Sequence, residues 1–160
     1  MSKKKEEASS EGGIKVLVEN RKARFDYHIL ETLEAGIVLT GHEIKSIRNG
    51  GANLQEAYVR ASNGEIFLIG AHINPYAFTK HEEIDPVRPR KLLLHKAEIM
   101  KLQGRTTQRG FTIVPLEIYL KKGMAKVKIG LAKGKAAPDK RSSIKEREAK
   151  RDIARAMRKK

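Results

Sequence analysis

The chain predicts a mainly β protein: a small antiparallel β-barrel with about three marginal helices and a flexible basic C-terminal tail. Three observations carry that expectation. Two runs of β-forming residues are each broken by a short turn, at the hairpin signal Asn63-Gly64 in one and across Lys121-Lys122-Gly123-Met124 in the other. Strand-like segments outnumber helical ones and are joined mainly by short turns, which suits a barrel better than alternating β and α units. The last thirty residues, 131–160, hold twelve Lys or Arg against four Asp or Glu, +8 of the chain's formal +15, and offer few side chains able to fill a core. Such a segment cannot bury enough surface to offset its ordering entropy, so it stays mobile until a partner supplies that surface.

Taken in order, residues 1–13 are polar and rich in Ser, Glu, Lys and Gly, an expected disordered segment. Order begins near Ile14. Phe25 to Leu39 alternates apolar and polar residues but includes Glu31-Thr32-Leu33-Glu34, which also suits a helix. Strand is the better choice, because Gly36-Ile37-Val38-Leu39-Thr40 continues in β-formers and Gly36 fits a bend or bulge. Gly41 to Arg48 reads as a short helix, with Ile44 and Ile47 on one side, Lys45 and Arg48 beside them, and Asn49-Gly50-Gly51 ending it. Ala57–Arg60 and Glu65–Ile69 form a hairpin across Asn63-Gly64. After the loop Asp85-Pro86-Val87-Arg88-Pro89, Leu93, Ala97 and Met100 stand at helical spacing, so Arg90 to Gln103 reads as a helix closed by Gly104. Its other face carries Arg90, Lys91, His95 and Lys101. Phe111–Leu120 and Ala125–Leu131 make a second hairpin, in which Val127 and Ile129 alternate with Lys126 and Lys128. The expected organisation is a segment 1–13, a barrel domain 14–135 and a basic tail 136–160.

Length and composition narrow the function classes. At 160 residues there is room for one ordinary core plus tails. A pI near 10.1 with 33% charged residues is the footprint of a nucleic-acid binder, because each Lys or Arg that neutralises a phosphate releases condensed counterions. Zero cysteines exclude a disulfide scaffold and thiolate metal sites. The start, Met1-Ser2-Lys3-Lys4-Lys5-Glu6-Glu7, has no apolar stretch behind it, so no signal peptide is expected, and no apolar run reaches the roughly eighteen residues of a membrane span. A soluble, cytoplasmic protein is the expectation. His28, His42, His72, His81 and His95 are scattered, with no His-Glu-x-x-His, nucleophile elbow or P-loop. A nuclease built on Glu34, Glu43 and His72 has no spacing in its favour, since two-metal sites need clustered carboxylates. No enzyme, cofactor or metal is expected. A structural ribosomal protein or general RNA chaperone shares the charge, barrel and tail, and is the competing class.

Four blocks carry a resemblance that periodicity could not supply: Glu34 to Arg48 (EAGIVLTGHEIKSIR), Pro89 to His95 (PRKLLLH), Lys128 to Lys135 (KIGLAKGK) and Asp139-Lys140-Arg141. From about Val16 to the C-terminus, and in the same order, the chain resembles the SmpB (small protein B) family, the SsrA- or tmRNA-binding proteins of bacterial trans-translation. The resemblance implies an OB-like barrel that binds the tRNA-like domain of tmRNA at its elbow. It also implies a tail that enters the decoding centre and mRNA channel of a stalled ribosome and stands in for codon–anticodon pairing. The implied partners are tmRNA, the ribosome with its 16S rRNA decoding centre, and elongation factor Tu delivering alanyl-tmRNA; nothing demands more than a monomer.

The residues fit that chemistry. By the resemblance Tyr27 and Glu34 occupy positions involved in tmRNA binding; a tyrosine can stack on a base, and a carboxylate can accept from base amino groups or ribose hydroxyls. A half-buried strand tyrosine and an ordinary surface carboxylate are the plainer alternatives. Lys45, Arg48, Arg90 and Lys91 suit phosphate contacts, with solvated helix faces as the alternative. Asn53 is a weaker RNA candidate, because its amide can instead satisfy loop backbone. Lys133, Gly134 and Lys135 form a phosphate-facing pivot, Gly130 and Gly134 allowing close backbone approach. In the tail Ser143-Ile144-Lys145-Glu146 is a capping-box pattern and Glu146 with Lys150 a favourable pair, so a helix is expected from Ser143, induced by the ribosome. Ala149, Ile153 and Met157 line its stripe, and Asp139, Lys140 and Arg141 precede it as the expected decoding-centre contact. Two departures stand out. Pro138 lies where related sequences often carry a histidine or tyrosine, and His42 where an aromatic is frequent; neither offers a comparable stacking face.

Overall fold

The computed structural model describes residues 13–76 and 85–158. The expected segment 1–13 lies almost wholly outside the described residues, as does His81. Thirteen elements follow one another: β1 (Ile14–Glu19), α1 (Arg21–Asp26), β2 (Tyr27–Ile37), α2 (Gly41–Arg48), β3 (Ala52–Asn53), β4 (Tyr58–Ser62), β5 (Glu65–Ile69), β6 (His72–Ile73), β7 (Arg90–Leu93), α3 (Lys96–Thr106), β8 (Phe111–Lys121), β9 (Met124–Gly134) and α4 (Ala137–Arg158).

The mainly antiparallel β architecture expected from the turns is the one observed. Strands run β8-β4-β5-β7-β2-β9, and a further β8–β9 pairing closes the ring; β1 lies beside β8, and β3 with β6 forms a separate two-stranded ribbon. Both expected hairpins form. Their turns put Asn63 and Gly64, and Lys122 and Gly123, at positive φ, the backbone a two-residue hairpin loop needs to match strand twist. Bulges interrupt β2 between Ile29 and Glu31 and β8 between Pro115 and Glu117, switching which face successive residues occupy.

That switch builds two apolar layers. Inside the ring Ala35, Val59, Ile66, Leu68, Leu92, Ile113, Ile118, Val127 and Ile129 are buried together, joined by Ile47 of α2 and Leu102 of α3. Beyond the bulges Val114, Leu116 and Ala132 form a second layer with Ala23 of α1, against which Tyr27 and Ile29 pack. Gly130 belongs to this packing: a Cβ there would lie 3.1 Å from Ile29 and 3.2 Å from Leu116 side-chain atoms. Its close approach serves the protein's own layer, which corrects its reading as an approach to RNA.

Three elements differ from expectation. Phe25 lies in α1, a helix of six residues, and the strand starts at Tyr27. What makes so short a helix is Asn20: its side-chain oxygen accepts from Ala23 N–H at 3.2 Å, while its amide donates to Leu54 O at 3.1 Å and Pro115 O at 2.9 Å. The cap is thus tied by buried hydrogen bonds to two distant segments. Arg90 to Gln103 is not one helix. Residues 90–93 form β7 with strict burial alternation, Arg90 and Leu92 inward, Lys91 and Leu93 outward. The helix starts at Lys96, where His95 N–H donates to Glu98 at 3.2 Å, and it runs through Gly104. The stripe Leu93, Ala97, Met100 faces solvent, with Leu93 53% and Met100 63% exposed; Leu102 is buried in the core and Ile99 packs against it. The leucine run suited either period, and pairing with β2 and β5 chose the strand. The tail helix, finally, begins at Ala137, six residues before Ser143.

Candidate nucleic-acid interface

The strand β2 places Tyr27 and Glu34 at opposite ends of one ladder with β9. Tyr27 pairs with Gly134 and His28 with Lys133, while Glu34 pairs with Lys128. Tyr27 is half-buried, part of its ring surface spent on the second apolar layer. Glu34 stands on the outer face. It accepts a short hydrogen bond from the Tyr119 hydroxyl, and Lys121 Nζ lies 3.4 Å from it. The Tyr119 hydrogen bond is the main influence holding the Glu34 carboxyl below its usual range, against a smaller opposing effect of desolvation and with help from Lys121 and Lys126. Burial, then the same carboxylate, push the Tyr119 hydroxyl far up. Glu34 is therefore an oriented anion on a cationic face: Lys128 beside it pairs with Glu117 at 3.1 Å. Tyr119, Lys121 and Lys126 surround Glu34 in the candidate site and were missed by sequence reasoning, although the Lys126/Lys128 alternation pointed to that face.

The helix α2 presents Lys45 and Arg48 to solvent. Lys45 Nζ sits 5.5 Å from the centre of the Tyr76 ring, and Thr40 Oγ1 lies 3.1 Å from His42. Arg90 is a correction. It is 0% exposed and cannot meet a phosphate. Strand alternation turns it inward with Leu92, where its Nε donates to Glu43 at 2.6 Å and its remaining nitrogens donate to Ala71 O at 2.8 Å and Pro86 O at 3.0 Å. Glu43 also accepts from Arg88 and, at 3.0 Å, from Thr40 N–H. Burial by itself would raise the Glu43 carboxyl; the hydrogen bonds from Arg88, Thr40 and Arg90 together outweigh it and bring it down to about 2. This network fastens α2 to β7 and to residues 86–88, and so sets where Lys45 and Arg48 point. Lys91, one residue on, is exposed and within 3.3 Å of Glu65. Asn53 does what its alternative reading foresaw: its side-chain oxygen accepts from Gln55 N–H at 2.8 Å.

At the other end of the barrel β9 runs into α4. Lys133 is exposed, its ammonium 6.0 Å from the Phe111 ring centre. Gly134 is exposed, with nothing within 4 Å of a Cβ built there. Lys135 N–H donates to Asp26 O at 2.9 Å and its Nζ to Ser143 Oγ at 2.9 Å; Lys140 lies 3.4 Å from Asp26. Arg141 is exposed, and the side chains of Pro138 and Asp139 lie outside the described residues. Ile153 and Met157 remain 59% and 75% exposed. Most of the predicted residues thus fall into three groups, on the outer face of β2 and β9, on α2, and at the β9–α4 junction; Lys91 stands on β7, Asn53 on β3, Ile153 and Met157 further along α4, and Arg90 is buried. Among the described residues no cluster of His, Cys, Asp or Glu could hold a metal ion, and no helix is long and apolar enough to cross a membrane.

A family model described as "SmpB protein" matches residues 17–159. The SsrA-binding protein of Staphylococcus carnosus is 53% identical over 157 residues, covering 98% of this chain and 97% of its own. That of Bacillus cytotoxicus is 55% identical over 147 residues, covering 92% and 95%. Among solved structures, a chain of "tmRNA-SmpB: a journey to the center of the bacterial ribosome" superimposes with a TM-score of 0.65 at 47% identity, covering 79% of this chain and 93% of that one.

Proposed function

Because the chain belongs to the SmpB family, we propose that it binds the tRNA-like domain of tmRNA and brings it to stalled ribosomes for trans-translation, rescuing them and tagging incomplete proteins. The observation that carries this reading is the junction at Gly134. A closed barrel with cationic outer faces passes directly into a basic helix of 22 residues whose apolar side chains are left bare. A barrel face recognises folded RNA by shape, stacking and backbone contacts, and Tyr27, Glu34, Lys45, Arg48 and Lys91 are the side chains offered to it. The helix α4, led by Asp139, Lys140 and Arg141, is the part that occupies the decoding centre and mRNA channel, with Lys133, Gly134 and Lys135 as its pivot. The RNA arrives as alanyl-tmRNA with elongation factor Tu, and the protein acts in the cytoplasm as a monomer and as a binder, not an enzyme. Folded barrel 14–135 and tail 136–160 divide the labour.

The division is testable. Deleting Pro138 to Lys160 should leave a folded protein that still copurifies with tmRNA yet no longer tags stalled nascent chains. Sequencing the copurified RNA decides the partner: a ribosomal protein or general chaperone would bring down rRNA or mixed RNA, and a truncated chain that loses tmRNA as fully as a Glu34→Ala variant would end the division.

A further inference from the structure

An open recess lies between α1 and α4, lined by Glu19, Arg21, Arg24, Arg147 and Arg151. Arg21 and Arg24 stand three apart on α1, Arg147 and Arg151 four apart on α4, so each pair shares one helix face. Four guanidiniums meet one carboxylate there, and among the described residues Glu19 pairs only with Arg21, at 3.8 Å. Arg147 lies over the Phe25 ring, 5.6 Å from its centre. Arg24 and Arg151 make no ion pair among the described residues, and Glu148 and Asp152, close in sequence to Arg151, make none either. By contrast Lys22 pairs with Glu56 at 2.8 Å and Lys101 with Glu31 at 2.6 Å.

We propose that this recess binds an RNA backbone phosphate held jointly by arginines of α1 and α4. Like charges gathered in a concavity repel and raise the local potential, which a multivalent anion relieves. Guanidinium forks match phosphate oxygens two at a time, whereas a Lys cluster would provide only point charges. The two helices meet near the pivot, through Lys140–Asp26 and the Lys135 backbone bond to Asp26. Further along, α4 is exposed, so the site is complete only when α4 lies on α1. A phosphate bound there therefore also fixes the direction of the tail relative to the barrel. The nature of the ligand rests on the RNA-binding function proposed above; its source is either the delivered RNA or ribosomal RNA.

The test uses the full chain with Arg24→Gln, Arg151→Gln, both together, and the pair Arg24→Lys with Arg151→Lys. Each is titrated across salt concentrations against a tRNA-like-domain transcript and against isolated small ribosomal subunits. For the RNA that fills the site, each single Gln variant should lose about tenfold in affinity, and the double little more than either single, since both act on one phosphate. The salt slope should fall by about 1, and the Lys pair should not restore binding. Loss confined to the transcript assigns the phosphate to the delivered RNA, loss confined to subunits to rRNA. Additive losses with full rescue by Lys would replace the site with a diffuse field, and unchanged affinity for both RNAs would overturn it. A separate titration with inorganic pyrophosphate, read on the arginine Nε–Hε resonances, should move Arg24 and Arg151 together. Failure of the wild-type chain to bind the transcript would sink the proposed function while that shift still supported the phosphate site; no shift at saturating pyrophosphate would sink the site.

Discussion

The barrel encloses one ion-pair network and pairs several of its outer charges; along α4 most charge is bare. Arg90 and Glu43 lie wholly inside, each nitrogen of the guanidinium hydrogen-bonded, and Glu34, Glu31 and Glu65 each hold a lysine. On α4, Arg141, Lys145, Lys150, Arg155 and Arg158 are exposed together with Ile153 and Met157. The same residue types therefore do two jobs. Within the barrel a charge locks one element to another, because removing one member of a buried pair strands the other in a poor solvent. Along the tail cations contribute little to folding and remain available to a polyanion.

The sharpest way to break this contrast is inside the barrel. Arg90→Ala should cost about 3 to 5 kcal/mol of stability, measured by denaturant titration, because it leaves the Glu43 carboxylate buried and short of partners. A loss below about 1 kcal/mol would mean that water or Arg88 replaces it at no cost.

Acid should report the same network. The folded Glu43 carboxyl titrates at about 2 against an ordinary value of 4.5. A depressed carboxylate contributes stability that is fully present above 4.5 and is lost as pH falls through about 2, on the order of 3 kcal/mol in all. Glu43→Gln should be less stable at neutral pH and flatten that limb of the stability profile between pH 4.5 and 2; an unchanged slope there would assign acid unfolding to other groups.

Asn20→Ala comes next, at about 2 kcal/mol, since it removes the α1 cap and leaves the buried Leu54 and Pro115 carbonyls without their donor. Hydrogen exchange should loosen around α1 first. Uniform loosening of the whole barrel would show instead that α1 has no separate stability.

The smallest effect on folding is expected in the tail. Replacing Ile153 and Met157 together by Asp should change barrel stability by less than about 0.5 kcal/mol while tagging of stalled chains is lost and tmRNA binding is kept. Tagging at the wild-type level would leave α4 a charged tether with no packing face.

Local chemistry explains what was legible in the sequence. Asn63-Gly64 announces its hairpin because two successive positive φ values favour such residues; in the second turn Gly123 suits that backbone, while Lys122 adopts it without that preference. The helix Gly41–Arg48 forms as expected, with Thr40 and Glu43 bonded across its first turn. Arg90 was misread because Leu92-Leu93-Leu94 satisfies helical and extended periods alike, and only ladders with β2 and β5 settle which side is in. Asn20 was invisible for a similar reason: two of its three side-chain hydrogen bonds go to residues 34 and 95 positions away.

What the sequence by itself determined is the short-range part: the turns, the strand alternation of β9, the basic tail, and the blocks that mark the family. Composition sufficed to predict an anionic partner, because net charge acts without regard to fold. Tertiary structure decided which cations are free to meet that partner. Closing the ring turned Arg90 into the core and left Lys91 in solvent, and it set Tyr119 against Glu34. The docking of α4 near α1 gathered Arg21, Arg24, Arg147 and Arg151 around one recess across more than a hundred residues of chain. Burial and juxtaposition are properties of pairs distant in sequence, so no window along the chain contains them.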